Sequence, residues 1–413
     1  MRILFLDHPQ FTSGSYFLWH GLNEVLGSEA VVLYPYIPTH YDADRFDVRE
    51  QPWFQEMDAA VTKGELPEGI PKFAPGEGLT GGGQFEIRHY EQGRKFASPN
   101  EPPSEGKILL ELEEGRFDLV ILSNSHRVST IALGRLKQRV KTLPPIVYYD
   151  AGERDELNEH WVHVFRPQLV FKQILTPEVE ARGLSVQIPG YMLRMLPLPL
   201  SSPIADNPTG RIGPAFSEIY QKLDGIDSKI FDIFFWLGST WPGRAPTLSA
   251  LEEFCRNRKI EWVGCMGNAL YHVVLAISKI ALTMRGSGRD TQRYWEIPLY
   301  RTLMLSDGTM GCLHPYAFED GKTASFYNSI DELLGKIDFF LKEKKAADRI
   351  ASAGKEHLRK YHTTGSRAVF FLERVSEYLG VTDEKTRAII GRWKEAKAWD
   401  ERSWKSPAVG GNL

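Results

Sequence analysis

The chain has little of what marks a secreted, membrane or nucleic-acid-binding protein. It carries three cysteines in 413 residues, Cys255, Cys265 and Cys312. An odd number, apolar neighbours and no metal-ligand spacing predict reduced thiols, not a disulfide framework or a metal site. No apolar run approaches the ~20 residues needed to cross a bilayer, so no membrane span is expected. The net charge is −3. That leaves no cationic surplus for a polyanion, and nucleic acid is not an expected partner. Internal repeats and low-complexity tracts are absent. The first strand starts at Arg2, which leaves no room for a leader peptide and predicts a cytoplasmic protein.

What is present is an ordinary globular composition, 42% hydrophobic and 25% charged, with 10 Trp, 16 Tyr and 22 Phe. The length predicts two domains, each with its own core. In residues 1–200, apolar runs at 2–6, 30–33, 118–122, 146–149 and 168–171 read as strands, and 193–200 as an extended segment. Helical spacing separates them at 16–26, 108–113 and 128–140. Polar residues gather just after the strands, as in parallel sheets whose sites lie at the strand ends. Residues 35–106 are rich in proline, glycine and charge, and read as an irregular insertion. Residues 201–228 read as a linker. A second α/β unit is expected over 229–380, followed by a helix and tail at 381–413 that could cross back to the first unit. The expected fold class is α/β, with two doubly wound, Rossmann-like parallel-sheet domains facing across a cleft.

The most informative stretch runs from Thr283 to Glu296, Thr-Met-Arg-Gly-Ser-Gly-Arg-Asp-Thr-Gln-Arg-Tyr-Trp-Glu. An apolar strand at 279–283 enters a turn containing Gly286 and Gly288. A helix follows, capped by Asp290 or Thr291. Free N–H groups and the positive dipole end at a helix start favour an anion. Arg285, Arg289 and Arg293 add forked cationic donors suited to phosphate. Glu296, one turn on, suits a ribose diol. The alternative is a solvated helix start, with the arginines paired to Asp290 or Glu296.

The segments 285–296, 318–321 and 325–328 resemble the C-terminal domain of group-1-like glycosyltransferases, nearest to the spore-maturation (CgeB-type) branch. The Arg-Gly motif also resembles exostosin-type transferases. The resemblance implies a GT-B fold and a nucleotide-diphosphate sugar as donor substrate, with no further cofactor and no metal. It implies that Glu296 binds the nucleotide ribose and that Arg285, Arg289 and Arg293 surround the diphosphate, with Gly286 and Gly288 shaping the turn. Arg244 becomes a second phosphate candidate, and Asp320 a residue of a loop beside the donor. Two departures stand out. Arg301 replaces the glycine that usually ends the Glu-bearing helix, so that helix must end another way. Gly288 stands where retaining members carry a second glutamate, so stereochemistry is unassigned.

Transfer to a carbohydrate, glycan or other hydroxyl acceptor also needs a base within hydrogen-bond reach. His8 after the first strand, His126 after the strand at 118–122, and Asp150 with Glu153 and Asp155 are the candidates. Each has a plain alternative as a loop or helix-start residue. Two other readings compete with the transferase: a GT-B-fold epimerase or phosphorylase, and a degenerate, non-catalytic transferase-like binding protein.

Overall fold

The computed structural model describes residues 1–8, 13–41, 48–71, 99, 101–123, 127–152, 156–184, 194–198, 223, 226–235, 242–264, 268–286, 288–307 and 311–399. Four strands of the first half are too apolar to have a wet face. β1 (Ile3–Leu6), β3 (Leu119–Ser123), β4 (Ile146–Asp150) and β5 (Leu169–Lys172) are buried along their whole lengths. With β2 (Val31–Tyr34) and β6 (Met195–Pro197) they pair in parallel, in the order β2-β1-β3-β4-β5-β6. Successive strand residues face opposite ways. Ile3 and Phe5 therefore enter one core, and Leu4 and Leu6 another. Burial on both faces requires covering helices. These are α1 (Ser13–Leu26), α2 (Pro52–Thr62), α3 (Glu105–Glu113), α4 (Arg127–Arg139), α5 (Glu159–Phe165) and α6 (Pro177–Leu184).

The second half repeats the scheme. Strands β7 (Phe231–Phe234), β8 (Trp262–Val263), β9 (Ser278–Thr283), β10 (Leu303–Asp307) and β11 (Ser325–Tyr327) pair in parallel, in the order β11-β10-β9-β7-β8. Its helices are α7 (Arg244–Arg258), α8 (Asn268–Ala276), α9 (Gln292–Glu296), α10 (Ile330–Lys342) and α11 (Lys344–Tyr361). Each sheet reverses its winding once, between β1 and β3 and between β7 and β9. The crevice outside the strand ends at such a point is where open α/β sheets bind ligands.

Helix α12 (Thr364–Leu379) joins the two halves. Thr363 caps its start by accepting from the Ser366 amide, and Gly380 ends it in the left-handed region at φ 67°. Every residue from Thr364 to Leu372 is buried, as expected of a helix surrounded on all sides. One side lies on α1, and Phe371 packs on Phe171 of β5 with ring centroids 4.7 Å apart. One core cluster therefore holds Phe5, Phe171 and Phe371 together with Phe234, Ala281 and Met304 of the second sheet. The last helix, α13 (Glu384–Ala396), packs on α12 and α1. The return to the first half thus begins at Thr364, earlier than the tail at 381–413.

Two further differences from the sequence reading have physical reasons. The span 35–106 contains the 11-residue helix α2, with Pro52 at its first turn. Its buried residues Phe54, Met57 and Val61 form a helical stripe that the surrounding proline and charge obscured. Residues 72–98, and 199–222 across the expected linker, lie outside the described residues. Arg301 itself adopts the left-handed conformation (φ 54°) that a glycine was expected to supply. Asp227 and Asp348 hold its guanidinium at 2.7 Å each.

The α1–α12 crossing depends on the missing side chain of Gly21, where a Cβ would stand 2.1 Å from the Thr364 carbonyl oxygen. Gly21→Ala is expected to cost ~1–3 kcal/mol or more in urea unfolding. Gly391→Ala, in α13 with open space around it, should instead gain ~0.5–1 kcal/mol. Equal, near-zero effects would show that the crossing is not close-packed in solution.

Candidate functional site

The second sheet's winding reversal brings the 283–296 stretch to the end of β9. The turn closes on itself, with the Gly286 amide donating to the Gly288 carbonyl at 2.9 Å. Four contacts then fix its path. The Thr283 and Thr291 hydroxyls meet at 3.1 Å. The Arg285 amide donates to Asp307, at the end of β10, at 3.2 Å. Arg244, at the start of α7, donates to the Arg285 and Met284 carbonyls, both at 2.9 Å. Asp290 accepts from the Trp295 indole at 2.7 Å.

Arg244, a buried residue, is therefore a brace between the helix after β7 and the loop after β9. That is a different use from the phosphate contact the sequence suggested. Asp290 does not cap α9, because its carboxylate is turned inward to Trp295. Thr291 is the N-cap residue, without a side-chain cap. Trp295 is fully buried and belongs to the core.

The turn and α9 also carry three arginines. Arg285, Arg289 and Arg293 are half-buried. Glu296 ends α9, buried, and accepts the Tyr271 hydroxyl of α8 at 2.7 Å. The same hydroxyl accepts from Arg293 Nε at 3.3 Å, and the Arg293 guanidinium lies 5.8 Å from the Tyr271 ring centre. Burial raises the Glu296 carboxyl, and the Tyr271 hydroxyl and Arg293 charge oppose that rise. Glu178 of α6 is held low by the Thr176 hydroxyl and its own backbone amide, with the Arg289 charge adding the least. Asp320 is exposed and accepts from the Phe326 amide at 2.8 Å, with Lys336 at 3.7 Å. Its carboxylate closes the turn before β11, and Gly321 takes φ 70° beside it.

At the first sheet's reversal, β1 is followed by Asp7 and His8, both 2% exposed. Asp7 meets His40 Nε2 at 3.4 Å. Burial pushes the Asp7 carboxyl up, but His40 and His8 outweigh it and hold it below its ordinary value. Burial pushes the His8 imidazole down to about 4 despite the Asp7 charge beside it. Ser15 of α1 and Ser123 of β3 share a hydrogen bond at 2.5 Å, bridging the reversal. Asp150 ends β4 paired with the fully buried Lys172 at 2.9 Å, and its other oxygen accepts the Gly152 amide at 3.2 Å. It is a fixed ion pair rather than an open base. His126, Glu153 and Asp155 lie outside the described residues. The two halves touch near these strand ends, where the Leu313 amide donates to the Leu175 carbonyl at 2.7 Å.

Sequence reasoning missed His40, Tyr271 and Asp307. Asp307 had a signal, a carboxylate just past an apolar strand. Tyr271 looked like one aromatic of an amphipathic helix, and His40 lay in the stretch read as irregular.

Residues 225–373 match the family model described as glycosyl transferase-like. No curated protein sequence matches the chain. Among solved structures, a glycosyltransferase from Rickettsia africae ESF-5 aligns at 12% identity and a TM-score of 0.50, over 92% of this chain and 99% of that one. Alr3699/HepE from Anabaena, solved with UDP and glucose, aligns at 12% identity and a TM-score of 0.47, over 91% of this chain and 100% of that one. The two parallel sheets with their helices are the GT-B arrangement. Among the described residues, no helix is long and apolar enough to cross a membrane.

The depressed histidines make a solution prediction. Burial lowers both His8, to about 4, and His314, to about 3. Between these values and 6.5 the unfolded chain binds protons that the folded chain does not, so stability falls as pH falls. Each histidine contributes up to ~1.4 kcal/mol per pH unit in that window. Urea unfolding at pH 7, 6 and 5 should show the loss, and His8→Gln should flatten the slope by up to that amount. An unchanged slope would mean that His8 is not buried in solution.

Proposed function

We propose that the protein is a metal-independent glycosyltransferase, moving a sugar from a nucleotide-diphosphate sugar to a hydroxyl acceptor. One observation carries the reading. The Glu296–Tyr271–Arg293 cluster and the arginine-bearing turn sit together at a winding reversal, inside the segment that matches the glycosyl transferase-like family. The 285–296 motif also favours the CgeB-type branch. Tyr271 holds one Glu296 oxygen, and no hydrogen bond occupies Oε1 among the described residues. That oxygen suits a ribose hydroxyl. Arg285, Arg289 and Arg293, with the Gly286 and Gly288 backbone, form the diphosphate side. As the sugar–phosphate bond breaks, negative charge grows on the leaving diphosphate. Cations held there stabilise that charge and lower the barrier.

The acceptor side is the first sheet's strand ends. We assign the base to His8. Burial keeps its imidazole neutral at pH 7 but weakens it as a base. Asp7 stabilises the imidazolium that forms. His40 fixes Asp7 in turn. Asp150 is spent on Lys172.

A thermal-shift series with UDP, GDP, ADP, CMP and dTDP, each with EDTA or with Mg²⁺, tests the donor site. One nucleotide family should stabilise the protein equally in both conditions. Glu296→Gln, which keeps an acceptor for Tyr271, should weaken that nucleotide ~10–100-fold, the worth of a hydrogen bond to a charged group. Its unfolding temperature without ligand should hardly move. Stabilisation by none of the five would overturn the reading in favour of a non-catalytic relative, and full transfer activity in Glu296→Gln would overturn the placing of the donor on Glu296.

A further inference from the structure

Arg367 is 3% exposed, in the part of α12 that packs against the first half of the chain. Its guanidinium lies 4.9 Å from the Trp295 ring centre. Trp295 holds Asp290 at 2.7 Å, and Asp290 supplies the largest favourable charge acting on Arg367. Tyr149 of β4 joins from the first sheet, feeling both Asp290 and Arg367 while its hydroxyl donates to the Leu198 carbonyl at 3.2 Å. His314 and His362 flank Trp295 at 5.4 and 4.9 Å, and burial, reinforced by the Arg367 charge, disfavours protonation of both. Asp290 is thus a carboxylate whose charge favours the Arg367 cation in this apolar surround. It also lies on the turn just before the N-cap Thr291 of α9, next to Arg289.

Resting on the donor-site reading above, we infer that Arg367 is a positioning residue. Through Asp290 and Trp295 it sets the backbone of the 285–296 turn from the helix that joins the two halves, and so tunes donor affinity without touching the donor. A buried guanidinium and a buried carboxylate are a costly way to gain stability alone. Removing one partner strands the other charge, whereas replacing both with neutral groups is often nearly neutral. That asymmetry separates positioning from mere support.

The test compares Asp290→Asn, Arg367→Met, Arg367→Lys and the double Asp290→Asn/Arg367→Met in the full chain. Both single charge removals should lower the unfolding temperature, and the double variant should recover most of the loss. The double variant should nonetheless bind UDP or GDP, whichever the unaltered protein binds, at least ~10-fold more weakly by calorimetry. KM for the donor should rise more than kcat falls, and Arg367→Lys should restore part of the affinity. Amide hydrogen exchange over 285–296 should quicken in the double variant while α1 and the first sheet stay protected. A double variant with unaltered nucleotide affinity and unaltered exchange over 285–296 would overturn the inference. If the unaltered protein binds neither nucleotide, the donor reading fails, and the exchange result alone decides whether Arg367 positions the turn.

Discussion

The close crossing of α12 over α1 is the constraint on which the rest depends. Gly21 lets the Thr364 carbonyl approach α1 to a distance no larger residue permits. The run Ala368 to Leu372 then fills the space between the sheets and merges apolar faces of both into one core. A core shared in this way resists sliding, because interiors are close-packed and transmit strain. The strand ends of the two sheets are held near each other for the same reason, as the Leu313–Leu175 backbone bond indicates.

Against that frame, the turn after β9 is over-determined by its own contacts. Arg244 grips two of its carbonyls, Asp307 takes an amide, Thr283 meets Thr291, and Asp290 is drawn inward by Trp295. Carbonyls and carboxylates at the turn are consumed by the protein. The same turn and helix carry Arg285, Arg289 and Arg293, each half-buried. The first sheet makes a parallel arrangement, with Ser15 and Ser123 tying its reversal and Asp7 fixed by His40.

The strands were legible in the sequence because fully buried parallel strands are nearly unbroken apolar runs, as Ile3–Leu6 and Leu119–Ser123 show. The 283–296 turn was legible because glycine and arginine cluster after such a run. Strand order was not, since nothing local in β9 says that it pairs with β7. The roles of Arg244 and Asp150 were also hidden. Each has the residue type of a site, and only its distant partner, Met284 or Lys172, shows that it is already committed. Arg301 illustrates the limit from the other side. A conformation that favours glycine is held by two distant aspartates that no motif contains.

A crystal structure of the complex with the nucleotide diphosphate that stabilises the protein most is the direct test of the central claim. The account predicts the diphosphate against Gly286–Arg289, with the ribose on Glu296 and the turn's backbone unmoved. A nucleotide bound elsewhere, or a turn that must refold to meet it, would contradict the claim that this loop is a preformed donor site.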